Sequence, residues 1–173
     1  MKISQWLVVS CAVAVAGAAR AAVAPAEVIF DHPENFTDVK DSAMPTDRGT
    51  AAILGQLRDY LVREAAHFVP EGSRLTITFT DIDLAGEFEP WRGAQFDNIR
   101  IIKPIYPPHF KFRYTLTDAA GRVVREGQED ILDQEFQQRI TLDRDDPLRY
   151  EKEILKDWLR RQARAASATP VAQ

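Results

Sequence analysis

Arg74-Leu75-Thr76-Ile77-Thr78-Phe79-Thr80-Asp81-Ile82-Asp83-Leu84 is the stretch whose reading decides the fold. Leu75, Ile77 and Phe79 alternate with threonines, a period of two that puts apolar side chains on one face of a strand and β-branched polar ones on the other. At Asp81 the phase flips: Asp81 and Asp83 take the apolar parity, Ile82 and Leu84 the opposite one. Carboxylates are not buried beside a phenylalanine without partners, because the charge loses its water. A bulge or strand end between Thr80 and Ile82 resolves the conflict by re-aiming the side chains.

Working outward, Glu27-Val28-Ile29-Phe30 is a short strand, ended by the turn formers of Asp31–Asp38. Pro45-Thr46-Asp47 opens a helix whose apolar positions Leu54, Leu57, Leu61, Ala65 and Phe68 follow helical spacing, and Pro70-Glu71-Gly72 stops it. Gly86–Asn98 reads as a loop. Asn98–Lys103 reads as an edge strand, because Pro104, Pro107 and Pro108 exclude a central place in a sheet. Phe110, Phe112, Tyr114 and Leu116 begin a hairpin that turns at Asp118-Ala119-Ala120-Gly121 and returns over Arg122–Asp130. The expected register sets Thr117 against Arg122, Phe112 against Gly127 and Arg113 against Glu126. Ile131–Thr141 fits either a strand or a short helix. Asp146-Pro147 starts the last helix, with the stripe Leu148, Ile154, Leu155, Trp158 and Leu159, and with Asp157 one turn from Arg161. The expected fold class is α+β: a mainly antiparallel sheet with two helices packed on one face, in a single domain.

The chain has 173 residues, enough for one domain with a self-sufficient core. Lys2 followed by the uncharged run Trp6–Ala19 and the triplet Ala19-Arg20-Ala21 reads as a signal peptide over residues 1–21, with cleavage between Ala19 and Ala24. That run of 14 residues is shorter than the roughly 20 needed to span a bilayer. The expected organisation is therefore a signal peptide at 1–21, one domain at 22–164 and a disordered tail at 165–173, located in the periplasm or secreted. Cys11, the single cysteine, lies inside the signal segment, so the mature chain makes no disulfide. Removing Lys2 and Arg20 takes two positive charges from a chain of net charge −4 and leaves −6, a sign that argues against nucleic acid as a partner.

Chemistry concentrates in one place. Asp81, Asp83, Glu87 and Glu89 fall within nine residues, beside Trp91 and Arg92. Oxygen donors of this kind suit a hard cation such as calcium. Their spacing departs from the helix-loop-helix calcium pattern, so the expected role is pairing with nearby cations such as Arg92 and with loop amides. Trp91 is expected to plug the core from its loop, the alternative being an exposed stacking platform. Lys111 and Arg113 share a strand face, with Arg125 expected nearby, and pairing with Glu126 is expected there rather than binding of a small anion or acidic partner. His32, His67 and His109 show no metal-ligand spacing, and neither Ser42 nor Ser73 stands on a glycine elbow. No cofactor is implied.

The segments Phe30–Asp38, Asp81–Trp91, Tyr150-Glu151-Lys152 and Asp157-Trp158 resemble a proteobacterial family of exported proteins, domain of unknown function 3016. Asp83-Leu84-Ala85-Gly86-Glu87-Phe88-Glu89-Pro90-Trp91 is the most specific part. The resemblance implies export and a single domain, and it brings no activity or ligand. The expected function is a non-enzymatic binding or envelope-accessory module with an envelope protein as partner. The alternatives are a metal- or carboxylate-dependent hydrolase built on residues 81–89, and a purely structural protein.

Overall fold

The structure, a computed structural model, describes residues 24–141 and 143–168. The expected signal peptide with Cys11 and the last residues of the expected tail lie outside them. The order is β1 (Ala26–Phe30), α1 (Asp47–Phe68), β2 (Arg74–Asp83), β3 (Glu87–Phe88), β4 (Arg100–Ile101), β5 (His109–Thr117), β6 (Val123–Leu132) and α2 (Arg149–Ala168). The second helix thus continues past Arg164, where a tail was expected.

One sheet has the order β1-β2-β5-β6; β1 runs parallel to β2, and the other pairings are antiparallel. The register between β2 and β5 slips between Phe79 and Asp81, so Thr80 is the bulged residue. Phe79 and Ile82 are both fully buried as a result, and Asp81 and Asp83 turn away from the core. The expected bulge is present, for the expected reason.

The hairpin corrects its expected register by two residues. Gly127 faces Tyr114, Glu126 faces Thr115, and Phe112 faces Glu129. The turn sets this. Asp118 accepts from the amides of Ala120 and Arg122, and Thr117 then pairs with Val123 across an irregularity. An even shift keeps every side chain on its own face. A ring still lies over the glycine, but it is that of Tyr114, whose atoms stand 3.0–3.2 Å from where a Cβ at 127 would be. Arg113 therefore pairs with Asp31 (3.4 Å) rather than Glu126, Lys111 with Asp81 (3.4 Å), and Arg125 with the Gln162 carbonyl (3.2 Å).

Both helices cover one face of the sheet. The N-cap of α1 is Thr46, which accepts from the Gly49 amide at 3.0 Å, and Asp41 holds Thr46 in turn. Leu54, Leu57, Leu61 and Ala65 enter the core from α1, and Ile154, Leu155, Trp158 and Leu159 from α2. Asp146 accepts from the Leu148 amide at 2.9 Å just before α2. Asp157 pairs with Arg139 and Arg160, not with Arg161. Trp158 has no exposed surface; it meets Phe112 and Tyr114 edge-on, with ring centroids 4.8 and 5.3 Å away, and its indole N–H donates to Glu129. The ambiguous segment after β6 resolves into a short 3-10 turn, Phe136–Gln138, whose buried phenylalanine meets Tyr150.

Trp158→Ala removes this packing and leaves Glu129 without its indole donor. It is expected to cost about 3–5 kcal/mol in urea denaturation, and a loss below about 1 kcal/mol would contradict the packing described.

Candidate functional site

The bulge at Thr80 is where the site begins. Past it, Asp38 runs alongside the end of β2: its amide donates to Ile82 (3.0 Å) and its carbonyl accepts from Leu84 (3.1 Å). The Asp38 side chain is 2% exposed. Arg100 of β4 grips it with both terminal nitrogens, at 2.7 and 3.2 Å, and also donates to the carbonyls of Gly86 and Lys40. The guanidinium lies over the Phe88 ring, 4.7 Å from its centroid. Gly86 has φ +82°, and a Cβ there would stand 2.6 Å from the Ile102 side chain, so only glycine fits. β3 and β4 form a small ribbon outside the main sheet, and of the expected edge strand only Arg100 and Ile101 are paired.

Of the acidic residues, Asp81 is partly buried, which works to raise its pKa. The Thr37 amide (2.9 Å), the Thr37 hydroxyl and Lys111 outweigh that and lower it overall. Asp83 has only the nearby His109 working in that direction. Burial, with Asp38, Asp81 and Glu87 nearby, pushes it up to about 6. Glu87 accepts from its neighbouring Phe88 amide and lies 4.0 Å from Lys40. Glu89 is 1% exposed and is clamped by Lys103, Arg92 and Tyr106; the Lys103 bond first, then those from Arg92 and Tyr106, hold it down at about 2. Arg92 is thus a brace. Asp81, Glu87 and Glu89 turn to different partners, and among the described residues no three His, Cys, Asp or Glu side chains gather as metal ligands.

Trp91 corrects its expectation. It is 71% exposed, not a core plug. Pro90–Arg92 form a single 3-10 turn anchored from below by Glu89, which leaves the indole outside. Beside it lies a hollow of about 380 Å³, lined by Lys40, Ala43, Glu87, Phe88 and Tyr106.

On the other side of Phe88 and Lys40 opens a larger cleft of about 520 Å³, between α1, the start of α2 and the β3–β4 ribbon. Glu151 of α2 lines it. Its carboxyl is 1% exposed; one oxygen accepts from the Ala85 amide at 2.7 Å, and the other, Oε2, has no hydrogen-bond partner among the described residues. Burial pushes Glu151 up to about 7, against the Ala85 bond and the positive charge of Arg100. Asp38, Arg100 and Glu151 were missed as site residues. Glu151 left a trace in the sequence: it stands three residues after Leu148 and four before Leu155, on the apolar stripe.

A family model described as "Protein of unknown function (DUF3016)" matches residues 24–161. The chain belongs to this family. No curated protein and no solved structure matches it. In this DUF3016 domain the segments that carry the resemblance meet in space: Asp38, Leu84-Ala85 and Glu151 are joined by the hydrogen bonds above.

Asp83 gives a pH signature. Its folded pKa of about 6 stands above the ordinary 3.8, so the folded chain keeps a proton that the unfolded chain has lost, and stability falls as pH rises between these values. Asp83→Asn is expected to melt a few degrees above the native protein at pH 7.5, an advantage that vanishes below about pH 4. An equal gain at both pH values would contradict the assignment.

Proposed function

We propose that this DUF3016 domain is an exported binding module that recognises an envelope protein through the surface around Trp91. The observation that carries the reading is a large indole held in solvent by a rigid brace. A tryptophan exposed at 71% gives up burial that a core position would supply. Here the turn beneath it is fixed by a buried carboxylate with three donors, so the exposure is built in. Met44, next to Ala43, and Ile105, next to Tyr106, are themselves exposed at 76% and 70%. Tryptophan is among the side chains most enriched at the energetic centres of protein interfaces. The acidic loop supports recognition rather than catalysis, since Asp81 and Glu89 are engaged as staples. No helix among the described residues is long and apolar enough to cross a membrane. Export rests on the amino-terminal segment read from the sequence.

The test uses native protein, Trp91→Ala and Glu87→Ala as baits on envelope extract. Trp91→Ala is expected to lose the native partner by about tenfold or more while keeping its melting temperature, as removal of an exposed interface anchor does. Equal recovery of the same partners by all three baits would overturn the assignment. Fractionation with amino-terminal sequencing is expected to find the chain cleaved between Ala19 and Ala24 in the periplasmic or secreted fraction; uncleaved chain recovered with membranes would refute export.

A further inference from the structure

We infer that the cleft floored by Glu151 is a binding site for a small amphiphile, an apolar body carrying a single anionic head group. This site opens on the other side of Lys40 and Phe88 from the Trp91 surface, and Trp91 is not among its lining residues. A volume of about 520 Å³ falls in the range of small-molecule pockets, roughly 300–1,000 Å³. Ile53, Leu84, Phe88, Ile99, Ile102 and Leu148 form its walls, enough apolar surface for a short acyl or aromatic body.

The charges define the head group. Four charged groups besides Glu151 line the cleft. Arg100 is consumed by Asp38, and Asp41 by the Thr46 amide and hydroxyl. Lys40 keeps only long contacts, 3.7 Å to Asp38 and 4.0 Å to Glu87. Arg149 stacks over Tyr150 at 4.5 Å and donates to the Asp146 carbonyl, and among the described residues no carboxylate pairs with it. Two cations are therefore available to an incoming anion.

Glu151 completes the recognition. A buried polar oxygen without a partner is costly, and one kept in a native structure calls for an explanation, which a ligand in this cleft supplies. Protonated, Glu151 offers an O–H that a ligand oxygen can accept. Ionised, it would repel the same oxygen. The groups that act on it from the surrounding elements are Arg100 on β4, Asp146 ahead of α2, and the Ala85 amide after β2, with Lys40 and Asp41 across the cleft. Their balance leaves it titrating near pH 7, so the binding-competent form drops from about nine-tenths at pH 6 to about one-tenth at pH 8, and apparent affinity with it.

The experiment is calorimetric titration of the purified protein with decanoate below its micelle concentration, with decylammonium and decanol as the cationic and neutral arms. Decanoate is expected to bind one-to-one at pH 6 and about tenfold more weakly at pH 8. Glu151→Gln, which keeps a hydrogen-bond donor without the charge, is expected to bind at both pH values alike, and Arg149→Ala to bind more weakly at both. Trp91→Ala is expected to bind as the native protein does, which separates this site from the proposed partner surface. Absence of decanoate binding at pH 6 by folded native protein would overturn the inference. Tighter binding of decylammonium or decanol than of decanoate would do so too, as would an unchanged pH dependence in Glu151→Gln.

Discussion

Asp38 and Arg100 form the contact on which the functional end of the molecule depends. The carboxylate is almost wholly out of water and is held by two guanidinium nitrogens. A buried pair of this kind adds little net stability compared with apolar packing, but removal of one partner costs about 3–5 kcal/mol, because the other is left as an unmatched charge. Its value lies in geometry. Arg100 also holds the carbonyls of Gly86 and Lys40, so one side chain ties together the segment before α1, the turn after β2, and β4. Both hollows flank this knot: Lys40 and Phe88 line each of them.

The acidic residues sort by what surrounds them. Where donors converge, the carboxylate becomes a staple. Glu89 with Lys103, Arg92 and Tyr106 is the strongest case, and Asp81 with Thr37 and Lys111 the milder one. Where like charges gather without donors, it becomes a proton holder, as Asp83 does beside Asp38, Asp81 and Glu87. The signs then oppose each other. Glu89 contributes stability above its ordinary value of 4.5, lost as pH falls toward 2, whereas Asp83 withdraws stability as pH rises through 6. One short acidic stretch thus contains groups that pull the pH dependence in both directions, and a net-charge count cannot separate them.

Strands and helices were legible because periodicity reports which face is buried. The bulge was legible for the same reason: two aspartates at a core parity are a contradiction that only a change of phase removes. The hairpin register was not. Any shift by an even number of residues preserves both faces, and the aromatic-over-glycine pairing is satisfied by Tyr114 as well as by Phe112. The turn decided it, through Asp118 side-chain bonds that pattern reading does not weigh. Trp91 was misplaced because burial of an indole in a loop depends on partners distant in sequence: Lys103 and Tyr106 hold Glu89, and Glu89 sets which way the turn points. Arg100 was missed between two isoleucines, where nothing marks its reach to a carboxylate 62 residues earlier.

Glu151 is the instructive omission. A helix that sends Ile154, Leu155, Trp158 and Leu159 into a core has no packing reason for a glutamate on the same stripe. A leucine there would fill the space and remove the unsatisfied oxygen, but it would leave the buried Ala85 amide without its acceptor. The local rule is broken at a position that lines a cleft, two residues from Arg149, which has no carboxylate partner among the described residues. Sequences that otherwise agree at every level break such rules chiefly where function requires it, and the break is informative because it costs stability. The exposed indole of Trp91 is the same kind of exception on the surface: an apolar side chain kept wet by a braced turn. The two exceptions lie on either side of Phe88, and both are organised by the ribbon that Arg100 anchors to Asp38. The departures at Glu151 and Trp91 both lie where that ribbon meets the sheet and its helices.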